Sequence, residues 1–412
     1  MTQVSDRDKM AGMADLPFRA FDADQHYYEA EDAFIRHIDP QMKKRCMQWA
    51  DIDGKRRLLV GGKVNKFIPN PTFDPIAHPG SLEDYFRGRN ADGLDLKTMF
   101  GDLDPLEQHP EYRDRDARIR LLDEQGLEGC LMFPTLGVGM QEALKKDVPA
   151  LHAAFEAFNR WLDDDWGFDR GDGRLYAAPM MTLADPELAE AEATRVIEAG
   201  ARILVTIPGP VPDGDGYVSP GHPKFDRFWA VLAEAGVPIA FHAGLSGVSQ
   251  YGKLWGTGAA RGQFEGFKHS TFPLVAFQDR GISDTFAALI CHGVLERFPN
   301  LRVASIENGA MWAPDLLRLL KDGHGKMPMA FDRHPVEQFR EQVWVAPYYE
   351  DDMGMLKDVI GIDRLLFGSD FPHAEGLPEP TDFVKDIPGF TDDEIRTVML
   401  DNVKELITPR PA

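Results

Sequence analysis

Cysteine is scarce: Cys46, Cys130 and Cys291 are the only three in 412 residues. They are odd in number and far apart, so neither a disulfide framework nor a zinc-finger spacing is present, and a reducing compartment fits best. Positive charge is also short. With 45 Lys and Arg against 67 Asp and Glu, the formal charge is -22, which argues against a nucleic-acid or anionic-membrane partner, since both need a basic surface. No apolar run reaches membrane-spanning length, and residues 1–10 are polar and charged, without the apolar core of a signal peptide. These absences describe a cytoplasmic protein that is soluble, and they leave a small molecule as the partner to expect. An anionic substrate is still compatible with an acidic chain if a metal or a local arginine receives it.

What is present is a large apolar content, 43% of residues, arranged as short buried strands between amphipathic helices. The apolar run Leu16–Phe21 leads into Asp24-Gln25-His26. Further strands are expected at 129–133, 175–181, 201–207, 237–242, 301–307, 343–346 and 364–367. Helices are expected at 117–125, 150–165, 186–199, 225–235, 283–298 and 311–320, several of them stopped by a glycine such as Gly126, Gly200 or Gly236. Eight such strands imply a parallel sheet covered by helices. An open doubly wound sheet would want a glycine-rich turn after its first strand, and none follows here. The expected fold is therefore a (β/α)8 barrel, one domain over residues 1–412. Two stretches depart from the alternation. Residues 27–115 form a long insertion after the first strand, with a hairpin at 46–60 turning at Asp53-Gly54 and a proline-rich loop at 68–71; it reads as a lid, a binding surface or a dimer contact. Residues 244–272 form a second insertion, rich in glycine and aromatics.

Chemistry-bearing residues sit where these strands end, as the catalytic mouth of a barrel requires. Asp24 and His26 are two apart on one strand, so they face the same way and can share an ion. His242 ends the fifth strand and Asp370 follows the eighth. A mixed imidazole and carboxylate set of this kind suits one divalent ion, zinc first, with manganese or iron as alternatives.

These residues lie in motifs that resemble the amidohydrolase superfamily, in its amidohydrolase-2 branch related to aminocarboxymuconate-semialdehyde decarboxylase. The similar pieces are Asp24-Gln25-His26, Phe158-Asn159-Arg160-Trp161, Phe241-His242-Ala243-Gly244, the stretch 293–301, and Phe367-Gly368-Ser369-Asp370-Phe371-Pro372-His373. The resemblance covers the first strand and residues from about 116 to the C-terminus. It implies a barrel with one divalent ion held by Asp24, His26, His242 and Asp370, acting on an aromatic or unsaturated acid. Two departures stand out. Asp24-x-His26 replaces the usual His-x-His, and Glu307-Asn308-Gly309 stands where the best-known decarboxylases of this branch place a catalytic His followed by Gly.

The function expected is non-oxidative decarboxylation of a small aromatic or unsaturated carboxylic acid, with Glu307 or His373 moving a proton; Asp370 or Glu307 is the base expected if the site hydrolyses instead. The alternative is hydrolysis of an amide, ester or C–C bond, or hydration of a double bond, at the same site; a barrel without catalysis is a third reading. Trp312, Tyr348 and Phe371 follow strand ends and are candidates for an aromatic wall around the substrate. Glu29 is a candidate partner behind a ligand. His292, late in a helix, belongs to the opposite face of the barrel, and Arg87 and Arg89 read as solvated.

Overall fold

In a computed structural model, residues 16–68, 70–244, 251, 254–256, 271–277 and 279–410 are described. The leaderless start expected at residues 1–10 and most of the 244–272 insertion lie outside them, as does Pro69 of the proline-rich loop.

Strand β1 (Ala20–Tyr27) is buried at all eight positions, as a strand must be with a packed lumen on one side and helices on the other. It pairs in parallel with β2 (Leu127–Pro134), and β2 with β3 (Leu175–Ala177). A second parallel run joins β4 (Leu204–Thr206), β5 (Ile239–His242), β6 (Val303–Ile306) and β7 (Val343–Val345). Two seams convert these runs into a ring. After β3 the chain stays extended, and the Met181 and Val205 amides donate to Val205 and Pro179 carbonyls at 2.7 and 2.9 Å. The eighth crossing, residues 364–371, touches β7 through Val345 and Leu365 and β1 through Gln25 and Phe371. Its backbone accepts from Ala23 at 2.8 Å and from His26 at 2.7 Å, while Asp370 donates to Asp24 at 2.9 Å. The expected eighth strand is thus held by single bridges and not by a continuous ladder.

Helices fill the outside as expected, but Pro335–Gln342, Met353–Val359 and Asn402–Ile407 add to those anticipated. The helix anticipated over 283–298 is two, Arg280–Cys291 and Val294–Arg297, because Gly293 between them adopts φ 73° and turns the chain. The helix starts follow ordinary capping. Asp147 caps Val148–Asp165 by accepting from Ala150, and Asp185 caps Pro186–Glu198 by accepting from Glu187 and Leu188. Among the described residues no helix is long and apolar enough to cross a membrane.

Residues 27–115 contain the expected hairpin, Met47–Ile52 against Lys55–Val60, with Asp53 and Gly54 both at positive φ as its two-residue turn demands. They also contain a short pair, Ile76–Ala77 with Leu103–Asp104. The insertion folds back on the barrel mouth. Leu82 donates to the Ala374 carbonyl at 2.8 Å, and the Phe67 ring occupies the space a side chain on Gly139 would need. Arg87, far from being solvated, makes a two-pronged pair with Asp386 at 2.8 and 3.0 Å and lies over the Tyr349 ring.

One buried group in the helical layer makes stability depend on pH. His152, in the Val148–Asp165 helix, accepts from the Asp185 amide through Nε2 at 3.1 Å, and burial lowers its pKa from 6.5 to about 4. Between those values the unfolded chain binds a proton that the folded one refuses, so stability is present above about pH 6.5 and is lost as pH falls toward 4. The loss is expected to be about 3 kcal/mol at full protonation. Urea unfolding at pH 7 and pH 4.5 checks this, and His152→Leu should lose measurably less than wild type over the same interval.

Candidate metal centre

Asp24 and His26 project from β1 to the same side, and His242 from the end of β5 meets them. His26 Nε2 lies 3.4 Å from Asp24 Oδ1, and His242 Nε2 lies 3.5 Å from the same oxygen. Glu307, immediately after β6, places Oε2 at 3.3 Å from His26 Nε2 and 3.1 Å from His242 Nε2. Asp370, from the eighth crossing, brings Oδ1 to 3.3 Å from His26 Nε2. The groups Asp24, His26, His242, Glu307 and His26, Glu307, Asp370, His373 each offer ligand atoms within 4.8 Å of one another. The barrel therefore places Asp24, His26 and His242 around one point with Asp370 beside His26, and Glu307, expected only as an acid or base, lies within reach of both histidines.

These short separations are not hydrogen bonds. Asp24 Oδ1, His26 Nε2 and His242 Nε2 are buried, and none has a hydrogen-bond partner. A buried polar atom left without a partner costs about 1–3 kcal/mol, so three that converge on one point need an explanation. The tautomers supply it. His242 Nδ1 is 3.0 Å from the Ala243 carbonyl, an acceptor, so the ring proton sits on Nδ1 and Nε2 turns a lone pair inward. Lone pairs of two imidazoles and oxygens of carboxylates aimed at one point fit a divalent cation.

Without a cation the charges on these groups are mutually unfavourable. Burial, then the charges of Glu307, Glu375, Asp24 and Asp22, pushes the Asp370 carboxyl well above the usual carboxylate range. Burial opposes the charged form of His26, but the carboxylates of Asp24 and Glu307 outweigh it and raise its pKa to about 9. A bound cation would take the place of the protons these groups otherwise retain.

Both partly exposed carboxylates stand on unusual backbone. Glu307 has φ 54° and Asp370 φ 57°, a conformation costing about 1–3 kcal/mol for residues other than glycine and found chiefly where function requires it. Neighbours hold each in place. Tyr348 donates its hydroxyl to the Glu307 carbonyl at 2.8 Å, and Asn308 donates to the Phe241 and Ile306 carbonyls. Gly368 lets the eighth crossing approach β1, since a Cβ there would fall 2.8 Å from that of Asp24.

His373 lies over His26, with ring centroids 4.0 Å apart. Its Nδ1 is 2.6 Å from Asp370 Oδ1 and its Nε2 is 3.0 Å from Thr135 Oγ. Thr135 Oγ donates to the Tyr27 carbonyl at 2.9 Å and so accepts from His373 Nε2. Burial, together with the charges of His26 and His242, lowers the His373 pKa well below 6.5.

The remaining expectations fare unevenly. Tyr348 reaches the centre, but with its hydroxyl committed to the Glu307 carbonyl. The Phe371 ring packs edge-on to Tyr112 and under the Arg118 guanidinium, behind the ligands. Trp312 stacks on Phe286 and meets Phe339 edge-on in the helical layer and donates to the Gly309 carbonyl, so its ring is spent on packing and forms no aromatic wall with Tyr348 and Phe371. Glu29 does not partner a ligand. Its carboxylate accepts from the Leu136 and Gly137 amides and anchors the loop that carries Thr135. His292 pairs with Ser219, at the exposed end of its helix. Thr135 was missed, although Phe133-Pro134-Thr135 at the end of a strand was a legible signal.

If this centre takes a divalent ion, the protein purified without chelator should carry about one per chain by elemental analysis. His242→Ala and Asp24→Ala should each lower that content at least tenfold, while far-UV circular dichroism stays that of the wild type.

A family model described as amidohydrolase matches residues 22–406. The crystal structure of an amidohydrolase from Mycobacterium avium subsp. paratuberculosis is 45% identical, covers 96% of this chain and 100% of its own, and superposes with a TM-score of 0.90. A dihydroxybenzoic acid decarboxylase from a Polaromonas species, with manganese and 2-nitroresorcinol bound, is similar at 18% identity, covering 81% of this chain and 96% of its own, with a TM-score of 0.59. A 5-carboxyvanillate decarboxylase from Sphingomonas paucimobilis is 17% identical over 71% of this chain and 82% of its own, with a TM-score of 0.54. At such identities the last two likenesses are likenesses of fold.

Proposed function

The chain belongs to the amidohydrolase family and is a metal-dependent enzyme; from that premise we propose that it removes carbon dioxide, without oxidation, from a small aromatic or unsaturated carboxylic acid. The observation that carries this reading is the pairing of His373 with Asp370 at 2.6 Å, directly beside the five convergent ligand groups. Asp24, His26, His242, Asp370 and Glu307 would hold the ion, which when bound supplies Lewis acidity toward a substrate carboxylate or neighbouring oxygen. Three carboxylates with two imidazoles suit manganese(II) or iron(II) at least as well as the zinc first expected.

The residues around that point do the rest. The bond from the substrate carbon to its carboxylate breaks, the electron pair stays on the carbon, and the proton that the raised Asp370 carboxyl shares with His373 Nδ1 replaces the lost group, leaving Asp370 as carboxylate and His373 neutral. Thr135 accepts from Nε2 and keeps the ring turned for that transfer. Glu307, within ligand distance of both imidazoles, is assigned to the ion and not to proton transfer. Phe67, Val138 and Ile207 form a small apolar cluster, with Ile68 against it. The Val138 and Ile207 side chains also bound Gly244, two residues beyond His242, so the cluster borders the centre and suits the flat apolar body of the substrate. Because Phe67 and Leu82 come from residues 27–115, we assign that insertion to covering the mouth.

One observation favours hydrolysis as a second reading. Among the described residues, Arg113 and Arg118 are each engaged with backbone carbonyls and Arg87 with Asp386, so none of these three offers a substrate carboxylate a free counter-charge. A neutral amide or ester needs none.

A panel of aromatic and unsaturated acids, assayed for carbon dioxide in 18O-labelled water, separates the two. Carbon dioxide with no label in the organic product supports decarboxylation, and a labelled acid from an amide or ester overturns it. His373→Asn should lower kcat by a factor of about 10²–10⁴, as for loss of a general acid, with little change in metal content.

A further inference from the structure

Three of the groups that converge on the centre, Asp24, His26 and Asp370, come from the two sides of one seam, β1 and the eighth crossing, and a buried acidic side chain lies across it. Asp22 is fully buried, two residues before Asp24. Each of its oxygens takes two donors. Oδ1 accepts from the Asp24 amide at 3.1 Å and the Ser369 amide at 3.0 Å; Oδ2 accepts from Gln25 Nε2 at 3.0 Å and Ser369 Oγ at 2.5 Å. Ser369 immediately precedes Asp370, and its Oγ also accepts from the Phe371 amide at 3.2 Å, so both neighbours of the strained Asp370 backbone are held. The chain of contacts continues behind the ligands. Gln25 Oε1 accepts from Arg118 Nη1 at 3.0 Å, and Arg118 Nη2 donates to the His26 carbonyl at 2.7 Å. Arg118 is itself fully buried.

A carboxylate with all four acceptor positions filled has none left for an ion. Asp22 therefore is not a further ligand. We infer that Asp22 is the positioning residue of the centre: through Ser369 it holds Asp370 in its left-handed conformation, and through the Asp24 amide it sets the distance between the β1 ligands and Asp370. The inference rests on the metal-dependent reading of the centre. It assigns the affinity for the ion, and the preference between ions with strict and with tolerant geometry, to a side chain that touches neither ion nor substrate. Mn2+ and Mg2+ prefer near-octahedral sets, whereas zinc accepts four or five ligands in several arrangements, so loosening Asp370 should penalise manganese more.

The test uses the full chain, stripped of metal and titrated with Mn2+ and separately with Zn2+. Asp22→Asn keeps the shape but replaces one acceptor oxygen by a donor, and is expected to weaken Mn2+ binding at least tenfold and Zn2+ binding by less. Ser369→Ala removes a single donor and should shift both in the same direction by a smaller factor, which keeps the inference testable if Asp22→Asn does not fold. The decisive measurement is the same pair of variants in an Asp370→Ala background. If Asp22 acts through Asp370, Ser369→Ala and Asp22→Asn add nothing further there; a general loosening of the fold would weaken binding equally in both backgrounds. Unchanged Mn2+ affinity in both variants, or equal losses with and without Asp370, overturns the inference while leaving the metal centre in place. Wild type that binds neither ion overturns the metal-dependent reading itself.

Discussion

Three carboxylates and two imidazoles are packed at one end of the barrel with their unshared electron pairs facing one another. Like charges a few ångström apart repel strongly where water is excluded, and no hydrogen bond among them relieves Asp24 Oδ1, His26 Nε2 or His242 Nε2. Left to itself such an arrangement would spread apart. The surrounding structure is what keeps it together: a closed ring of parallel strands fixes where β1, β5, β6 and the eighth crossing end, and side chains behind them fix the last residue of each. Glu307 and Asp370 are both held at positive φ, Glu307 by Tyr348 and Asn308, and Asp370 by Ser369 and the seam to β1.

The barrel and the insertion divide the work. Among the described residues, the groups that converge at the centre, Asp24, His26, His242, Glu307 and Asp370, come from the barrel. Apolar and covering contacts come in part from residues 27–115, through Phe67 at Gly139 and Leu82 at Ala374. The groups that face the centre from the loops, Glu375 and Thr135 among them, are acceptors or neutral, and burial followed by the charge of Glu307 raises the pKa of Glu375 to about 7.

Much of this was legible before any coordinates. Asp24 and His26 are separated by one residue in a strand, and His242 and Asp370 close apolar runs, so alternation and barrel topology place them together. The same logic led to Glu307, but not to its role, because a Glu in place of a His reads equally as acid, base or ligand until its distance to His26 and His242 is known. Trp312 misled because an aromatic residue after a strand looks the same in sequence whether it turns toward the mouth or, as here, onto Phe286 and Phe339. Gly293 looked like part of a continuous helix because a single glycine is tolerated in one; only its left-handed backbone breaks it. The strands Ile76–Ala77 and Leu103–Asp104 are two residues long, too short to show any periodicity. Asp22 showed no signal of its own, since Ser369, the partner that ties it to the eighth crossing, lies 347 residues away.

That last separation has a consequence for how the protein is made. Synthesis delivers β1 first and the eighth crossing nearly last, while domains tend to fold from the N-terminus as they emerge. Until residues 364–371 leave the ribosome, β1 lacks one neighbour, Asp22 lacks Ser369, and the ligand set lacks Asp370. The closing of the ring, and the seating of Asp370 beside His26, is thus a late event in the biogenesis of the chain rather than a nucleus for folding.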